Sequence, residues 1–265
     1  ARHAVDIASS MGLGPHSPTQ LSNLLAGKAA QLSVGMDMYR ENVAGSSTIS
    51  DAQTLFELMH LRFSPMRRDQ DLFSAYISRA QDATKNARVA PETMFSDALS
   101  KAIWQNHPRT QLAPSPDDFA GISLDRVEAI YNERFGSAKG FDLILVGNID
   151  PEKLQQWLTQ YFATLPTKDI GDTYRDLGVR SPTKSIDLEI KKGREPKSVV
   201  TMSFGGPTSV SDVEQVRLQL LLEVLNLRIM EVLREQKTLI YSGGIGGSLA
   251  YAPYEQFGVR AVLPS

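Results

Sequence analysis

Apolar residues follow two periods along the chain, one typical of helices and the other of strands. Steps of three and four residues predict helices at 1–11, 19–30, 51–64, 69–86, 91–103, 124–135, 151–162 and 211–233. Alternation, or a short continuous apolar run, predicts strands at 32–38, 42–49, 141–146, 186–190, 198–204, 239–250 and 254–263. Because helices and strands come in runs, the pattern favours an α+β fold, with antiparallel or mixed sheets covered by helices, over a doubly wound sheet.

One long stretch of the chain has no clear period and is rich in proline, glycine and charge. Such a composition is typical of a linker between domains. We therefore expect a first α+β domain at residues 1–166, a linker at 167–184 and the beginning of a second α+β domain at 185–265.

The two ends of the sequence affect how the second domain is interpreted. The chain begins with Ala1 rather than methionine, and its last apolar run, residues 257–263, stops as if inside a strand. We therefore expect a piece of a longer protein, in which the second domain is truncated.

Short motifs predict where helices begin and where strands turn. Ser50 and Ser211 each precede a glutamine or glutamate by three residues, which is the spacing of a capping box. Glycine and proline predict a turn at 193–196, between two of the predicted strands, and a loop at Gly205–Pro207.

The composition excludes several kinds of chemistry. There is no cysteine, which excludes disulfides, thiolate zinc sites and cysteine nucleophiles. The formal net charge is −2 at pH 7 and the basic residues are scattered, so nothing indicates nucleic acid or an anionic membrane as a partner. No apolar run approaches the ~20 residues that a membrane-spanning helix needs.

The residues with metal-binding or nucleophilic chemistry form no known motif. His3, His16, His60 and His107 have none of the H-x-x-E-H, H-E-x-x-H or H-x-x-x-H spacings of helical zinc sites. The glycine-rich stretch 243–247 lacks the lysine of a P-loop and indicates bulges or close backbone approach. No serine lies in a G-x-S-x-G sequence. The residues alone therefore predict α+β domains without a self-contained active site.

Three stretches, taken in order, form a longer signature. The first is the helix 124–135 followed by Phe141-Asp-Leu-Ile-Leu-Val-Gly-Asn-Ile-Asp-Pro151, and the second is Tyr161-Phe-Ala-Thr-Leu-Pro166. The third is Leu233-Arg-Glu-Gln-Lys-Thr-Leu-Ile-Tyr-Ser242. Each is moderately specific alone, and their order and spacing together resemble the pitrilysin/insulinase family of inverted-zincin metallopeptidases.

The resemblance implies repeated α+β domains, two in each half of the protein, with the two halves enclosing a chamber. In this family an H-x-x-E-H motif on the first long helix supplies two histidines that bind zinc and a glutamate that activates water. The corresponding helix here, residues 1–11, lacks the motif, so no catalytic or metal residue is carried over. The chain is then expected to be the third domain and the start of the fourth. Zinc would be bound by a catalytic N-terminal half of the same chain.

Four residues after the helix 211–233 are candidate substrate-binding residues. The resemblance assigns Arg234 and Tyr241 to peptide contacts across the chamber, and Gly243 and Gly244 would let a peptide backbone lie close. On the residues alone, an arginine in a last helical turn complements the helix dipole, and a strand tyrosine packs in a core. Both interpretations stay open at this point.

Two functions follow from the resemblance. In the first, the chain is a non-catalytic segment of a zinc metalloendopeptidase, and it helps to form the chamber and contacts a peptide or protein substrate. In the second, the whole protein is catalytically dead and acts as a scaffold or binding subunit. The likeness is to large bacterial periplasmic zinc proteases, which implies a periplasmic location. An H-x-x-E-H motif upstream would favour the first function.

Overall fold

The computed structural model describes residues 2–169, 173–193 and 197–265, and it combines helices with antiparallel sheets. The helices are α1 (Ala4–Ser10), α2 (Pro18–Leu24), α3 (Ala52–Arg62), α4 (Gln70–Thr84), α5 (Pro91–Ile103), α6 (Pro116–Ala120), α7 (Leu124–Phe135), α8 (Pro151–Trp157) and α9 (Asp212–Ile229). The strands are β1 (Ala30–Met36), β2 (Glu41–Ser47), β3 (Val199–Pro207), β4 (Gly244–Ala250) and β5 (Gln256–Pro264). Two π-helical turns, Leu158–Phe162 and Met230–Gln236, continue α8 and α9, and a 3₁₀ turn spans Ala87–Val89.

The chain divides into two units, each built from two separate stretches of sequence. Unit 1 contains Ala1–Lys85 and Pro114–Tyr174, and unit 2 contains Asn86–Ala113 and Arg175–Ser265. Within the described residues each unit has helices and an antiparallel sheet, which confirms the α+β class. The domain boundaries drawn from composition, and the truncation of the second domain, stay predictions.

Unit 1 has a helical core in which α1 packs against α7 and α4. Ile7 and Phe135 are fully buried in it. The predicted bounds of α7 are confirmed, and its N-terminus is capped by the Ser123 hydroxyl, which accepts a hydrogen bond from the Arg126 N–H. The apolar residues of α7 lie three and four positions apart, so one face of the helix is buried.

A buried arginine lies inside unit 1 beside a buried tyrosine. Tyr131 Oη donates a hydrogen bond to the Arg62 carbonyl oxygen at 2.6 Å, and Arg62 Nη1 donates to Tyr131 Oη at 3.4 Å. Burial raises the pKa of Tyr131. Arg62 Nε is buried and has no hydrogen-bond partner among the described residues. The Tyr131 hydroxyl is therefore a hydrogen-bond partner that stabilises the buried Arg62 side chain.

Two helices of unit 1 begin at residues other than the predicted ones. α2 begins after Ser17, which forms a capping box, and ends at Leu24, well before residue 30. α3 begins after Asp51 and has no side-chain cap, so the capping box predicted at Ser50 is wrong. The Asp51 carboxylate instead accepts a hydrogen bond from the Ala29 N–H at 3.0 Å, which ties the start of α3 to the residue before β1.

Two predicted strands are wrong. Residues 141–146 and 186–190 pair with no strand in the described part of the chain. Ile144 and Val146 are 82% and 94% exposed, the opposite of the central strand that a continuous apolar run favours. The physical reason is the lack of a neighbouring strand within the described residues, because a strand needs a partner to bond its backbone N–H and carbonyl groups.

Unit 2 contains an antiparallel sheet with the strand order β3–β5–β4. β3 pairs with β5 along its whole length, so the loop predicted at Gly205–Pro207 is wrong and these residues continue the ladder. β4 begins at Gly244, so the strand predicted from residue 239 is wrong over residues 239–243. The turn predicted at 193–196 falls partly on residues 194–196, which lie outside the described residues.

α9 packs on β4 and is apolar on more than one side. Its N-cap is Ser211, as predicted, because the Ser211 hydroxyl accepts a hydrogen bond from the Glu214 N–H. Leu222 is buried, whereas an exposed apolar row follows three- and four-residue steps: Val213, Val216, Leu220, Val224 and Leu227. A helix that is apolar all round is typical of a buried position in a larger structure. Among the described helices, none is long and apolar enough to cross a membrane.

Candidate functional site

Arg234 and Tyr241 lie against each other in unit 2. The Arg234 guanidinium carbon is 5.5 Å from the centroid of the Tyr241 ring, within the range of a cation–π contact. Tyr241 precedes β4, so its predicted position early in a strand is wrong. The structure therefore brings together the two candidate residues with functional side chains.

The chain bends back on itself after α9, over residues 230–241. This hook places the two side chains together. The π-helical turn Met230–Gln236 continues the helix, and the Leu239 N–H then donates back to the Leu233 carbonyl oxygen at 2.8 Å. Thr238, at the bend, has a φ of 54°, in the left-handed region that β-branched residues rarely adopt. Ile240 is buried and anchors the hook just before Tyr241.

Both side chains of the pair are open to solvent. Tyr241 is 85% exposed, and its hydroxyl has no hydrogen-bond partner within the described residues. Arg234 is also exposed, and in that same part of the chain it forms no ion pair. A guanidinium offers a planar set of N–H donors and a phenol offers one O–H donor. The pair can therefore bind a peptide carbonyl oxygen or a terminal carboxylate.

Gly243 and Gly244 lie where a side chain would collide with unit 2 itself. A Cβ atom at Gly243 would be 2.9 Å from the Val262 carbonyl oxygen, and one at Gly244 would be 2.8 Å from Asn226 Oδ1. Close packing within the chain is a sufficient reason for both glycines. Their contact with a peptide stays a prediction.

Two amide side chains of α9 bind the outer side of β4. Asn226 Oδ1 accepts a hydrogen bond from the Ile245 N–H, and Asn226 Nδ2 donates to the Ile245 carbonyl oxygen, both at 2.8 Å. Gln215 Oε1 accepts from the Leu249 N–H at 3.4 Å. Sequence reasoning missed both amides, because polar residues in a helix ordinarily indicate its solvent-facing side.

The histidines do not supply a zinc site. His60 Nδ1 and His107 Nε2 lie 2.7 Å and 3.3 Å from backbone carbonyl oxygens, and the His3 ring packs on the Phe119 ring. Among residues 2–169, 173–193 and 197–265, no group of three histidine, aspartate or glutamate side chains is placed to hold a metal ion. These residues do not fit the two-histidine, one-glutamate set of an inverted zincin. No catalytic step through a metal is assigned to them.

The fold defines an α+β module in which helices accompany small antiparallel sheets. Residues 121–265 match the family described as the peptidase M16 inactive domain. That match covers more than half of the chain, so the chain belongs to the M16 peptidase family, which confirms the resemblance drawn from the sequence motifs. No curated protein matches the chain in sequence.

Solved structures of M16 proteases have the same fold. The periplasmic protease PqqL from Escherichia coli aligns with a TM-score of 0.82 and 17% identity, over 99% of this chain and 29% of PqqL. The ferredoxin protease FusC, solved in complex with Arabidopsis ferredoxin, aligns with a TM-score of 0.77 and 15% identity, over 100% of this chain and 29% of FusC. An M16 inactive domain from Pseudomonas fluorescens aligns with a TM-score of 0.69 and 14% identity, over 98% of this chain and 63% of that chain. The chain thus spans less than a third of PqqL and FusC, and the likeness shows the fold.

Proposed function

We propose that the chain is a non-catalytic segment of a longer zinc metalloendopeptidase, in which it helps to form the substrate chamber. Zinc would be bound by a catalytic N-terminal half of the same protein, and the substrate would be a peptide or protein. Membership of the M16 family supports this function. A periplasmic location is proposed because PqqL, which shares the fold, is a periplasmic protease.

The observation that carries the proposal is the contact between Arg234 and Tyr241. Both side chains are exposed, and their donor groups lie close together at the end of one hook. An arginine already resting on an aromatic ring loses less conformational freedom when it binds a ligand. The guanidinium would hold a peptide carbonyl oxygen or carboxylate, and the tyrosine hydroxyl would donate to oxygen at the reacting bond.

The experiment uses the full-length protein and a peptide substrate. Tyr241→Phe removes one hydroxyl, and we expect kcat to fall about a hundredfold if that hydroxyl stabilises the developing oxyanion. Arg234→Ala should mainly raise KM, because it removes binding shared by substrate and transition state. Tyr251→Phe is the matched control, since Tyr251 is another exposed tyrosine of unit 2 and should leave both constants unchanged. Unchanged kinetics in folded Tyr241 and Arg234 variants would make the pair structural.

A catalytically dead parent that acts as a scaffold or binding subunit is the second candidate. The exposed apolar row of α9 favours it, because a continuous apolar surface in water usually marks a binding partner. The full reading frame distinguishes the two functions. An upstream H-x-x-E-H motif, with one zinc bound per molecule, supports the peptidase, and its absence supports the scaffold.

A further inference from the structure

One side chain of α9 links the helix that carries Arg234 to the strand that follows Tyr241. Asn226 lies about two turns before Arg234 on the same continuous helix. Its Oδ1 atom accepts a hydrogen bond from the Ile245 N–H, and its Nδ2 atom donates to the Ile245 carbonyl oxygen, both at 2.8 Å. Residues 226–245 therefore form a ring that contains the hook and is closed by these two hydrogen bonds.

Within that ring, the stretch that contains Tyr241 has few bonds of its own. The hook is closed by backbone hydrogen bonds, and buried Ile240 anchors it. Among the described residues, Tyr241 and Ser242 then form no hydrogen bond. The position of the tyrosine ring therefore depends on the anchors at both ends of this stretch, Ile240 before it and the bond from Asn226 to Ile245 after it.

The sheet alone does not fix this position. Pairing with β5 aligns β4 within the sheet, but Arg234 stands on the helix. Two amide side chains of α9 bind β4, Asn226 near the hook and Gln215 farther along the strand, where it accepts from the Leu249 N–H at 3.4 Å. The Asn226 bonds are shorter and lie nearer to Tyr241 in sequence. They therefore have more influence on where the tyrosine lies relative to the helix.

Gly244 leaves room for the Asn226 amide. A Cβ atom at Gly244 would lie 2.8 Å from Asn226 Oδ1, closer than two non-bonded heavy atoms normally approach. The φ angle of Gly244 is outside the left-handed region, so this contact, and not the backbone, disfavours a side chain there. The glycine at this position therefore fits the asparagine across from it.

We propose that Asn226 is a positioning residue, which holds Tyr241 against Arg234 by fixing the start of β4. Its effect on catalysis rests on the proposed function, whereas its effect on the contact between the two side chains does not. The guanidinium carbon lies 5.5 Å from the ring centroid and the cation–π range ends near ~6 Å, so a shift of about 1 Å would break the contact. An amide suits this role because it accepts from an N–H and donates to a carbonyl oxygen at once.

The first test measures the contact itself in the 265-residue chain. The Tyr241 ring displaces the NMR signals of the Arg234 side-chain protons, and comparison with Tyr241→Leu defines this ring-current shift. Asn226→Ala should lose most of the shift. Asn226→Asp keeps the acceptor for the Ile245 N–H and should retain more of it. A folded Asn226→Ala chain with the full shift would overturn the proposal.

Gln215→Ala is the matched control, because it removes the other amide that α9 places on the same strand. It should leave the contact between Arg234 and Tyr241 in place. Equal loss of the ring-current shift in Gln215→Ala and Asn226→Ala would mean that the contact responds to any loosening of β4, and would contradict a specific role for Asn226.

A double-mutant cycle tests the fit between Asn226 and Gly244. Gly244→Ala places a methyl group against the amide and should also reduce the ring-current shift. In the Asn226→Ala chain the same substitution should add little, because the group that it collides with is gone. Additive losses would contradict the coupling. If Asn226→Ala does not fold, Gly244→Ala decides alone, and a full shift in that variant would overturn the proposal.

Kinetics of the full-length protein separate this role from the proposed peptidase function. Asn226→Ala should lower kcat about tenfold or more, with recovery in Asn226→Asp, since a misplacement of ~1 Å can cost ~100-fold. Because Asn226 would act through Tyr241, adding Asn226→Ala to Tyr241→Phe should cost little more than Tyr241→Phe alone, and independent losses would contradict positioning. If Tyr241→Phe is as active as the parent, the peptidase role of the pair fails, and the ring-current shift still decides whether Asn226 positions the ring.

Discussion

Units 1 and 2 differ in how much apolar surface they bury. In unit 1, α1, α3 and α7 each bury several side chains, and Phe56 and Phe135 are among the most completely buried residues. In the described part of unit 2, the buried apolar side chains are Val179, Leu222, Ile240, Ala261 and Leu263. The apolar row of α9 and the apolar face of β3 remain exposed.

The difference shows that a segment can form regular helices and strands without burying a complete apolar core. Burial of apolar surface stabilises a fold by roughly 25 cal/mol per Å². Unit 1 has that stabilisation within its own residues, whereas the helix and sheet of unit 2 are held by backbone pairing and a few buried contacts. We therefore expect unit 2 to gain more from a partner than unit 1.

The largest effect should come from Phe135→Ala, which removes a fully buried ring and should destabilise unit 1 by about 3–5 kcal/mol. Leu227→Ala in unit 2 changes a side chain that is 71% exposed and should alter stability by less than ~0.5 kcal/mol. The two tryptophans report on the units separately, Trp157 on unit 1 and Trp104 on unit 2. Urea unfolding followed by fluorescence, with each tryptophan replaced in turn by phenylalanine, measures both. Equal losses of stability in Phe135→Ala and Leu227→Ala would contradict the expected difference between the units.

A smaller loss is expected from Tyr131→Phe. The variant removes the hydroxyl that accepts a hydrogen bond from buried Arg62, and should destabilise unit 1 by about 1–3 kcal/mol in the same urea assay. Tyr76→Phe serves as the control, because Tyr76 is half-buried and its hydroxyl has no hydrogen-bond partner within the described residues. Adding Arg62→Met to Tyr131→Phe should recover part of the loss, since an apolar pair leaves no buried charge. No recovery would mean that Arg62 has a role apart from its contact with the phenol.

The outer edge of β4, which Asn226 binds, gives a third test. Asn226→Ala removes two hydrogen bonds to Ile245 and should destabilise unit 2 by about 1–2 kcal/mol. The Ile245 amide should then exchange faster with solvent. Asn226→Asp keeps the acceptor for that amide and should preserve its protection. Unchanged exchange at Ile245 in the alanine variant would show that the Asn226 amide does not protect this edge.

The smallest effect concerns an exposed ion pair of unit 2. A hydrogen bond from Arg180, together with the Gly178 N–H, lowers the pKa of Asp176 to about 2. A lowered carboxyl pKa contributes stability above the unfolded value of 3.8, and that contribution disappears as pH falls through about 2. The urea midpoints of the wild type and Asp176→Asn should therefore differ most above pH 4 and converge at lower pH. A constant difference from pH 6 to pH 3 would contradict this assignment.

Helices were predicted from the sequence better than strands, for a physical reason. α7 satisfies its backbone hydrogen bonds within itself, so its apolar period was enough to give its bounds. The run 141–146 has strong strand propensity but needs a neighbour, and no local pattern states whether one is present. The same limit explains the wrong loop prediction at Gly205–Pro207, since pairing with β5 overrides the preference of these residues for turns.

The resemblance suggested residues for the candidate site, and their role stays a prediction, but no sequence pattern indicated their geometry. The resemblance to a peptidase family suggested Arg234 and Tyr241 as candidates, and the structure places them in contact. Their contact depends on a π-helical turn and a bend, and hydrophobic periodicity shows neither. The hydrogen bonds of the Asn226 amide could not be predicted for a related reason. The position of a residue in a helix indicates which face is polar, but not which groups contact that face.

The bend at Thr238 also bears on how this sequence can change over evolutionary time. A threonine with a φ of 54° is held in a conformation that its branched side chain disfavours, at a cost of order 1–3 kcal/mol. Glycine, asparagine and aspartate adopt that conformation more easily. In lineages that keep the hook, mutation at this position should drift towards those three residues, and chains that carry one of them should tolerate an otherwise harmful second mutation nearby.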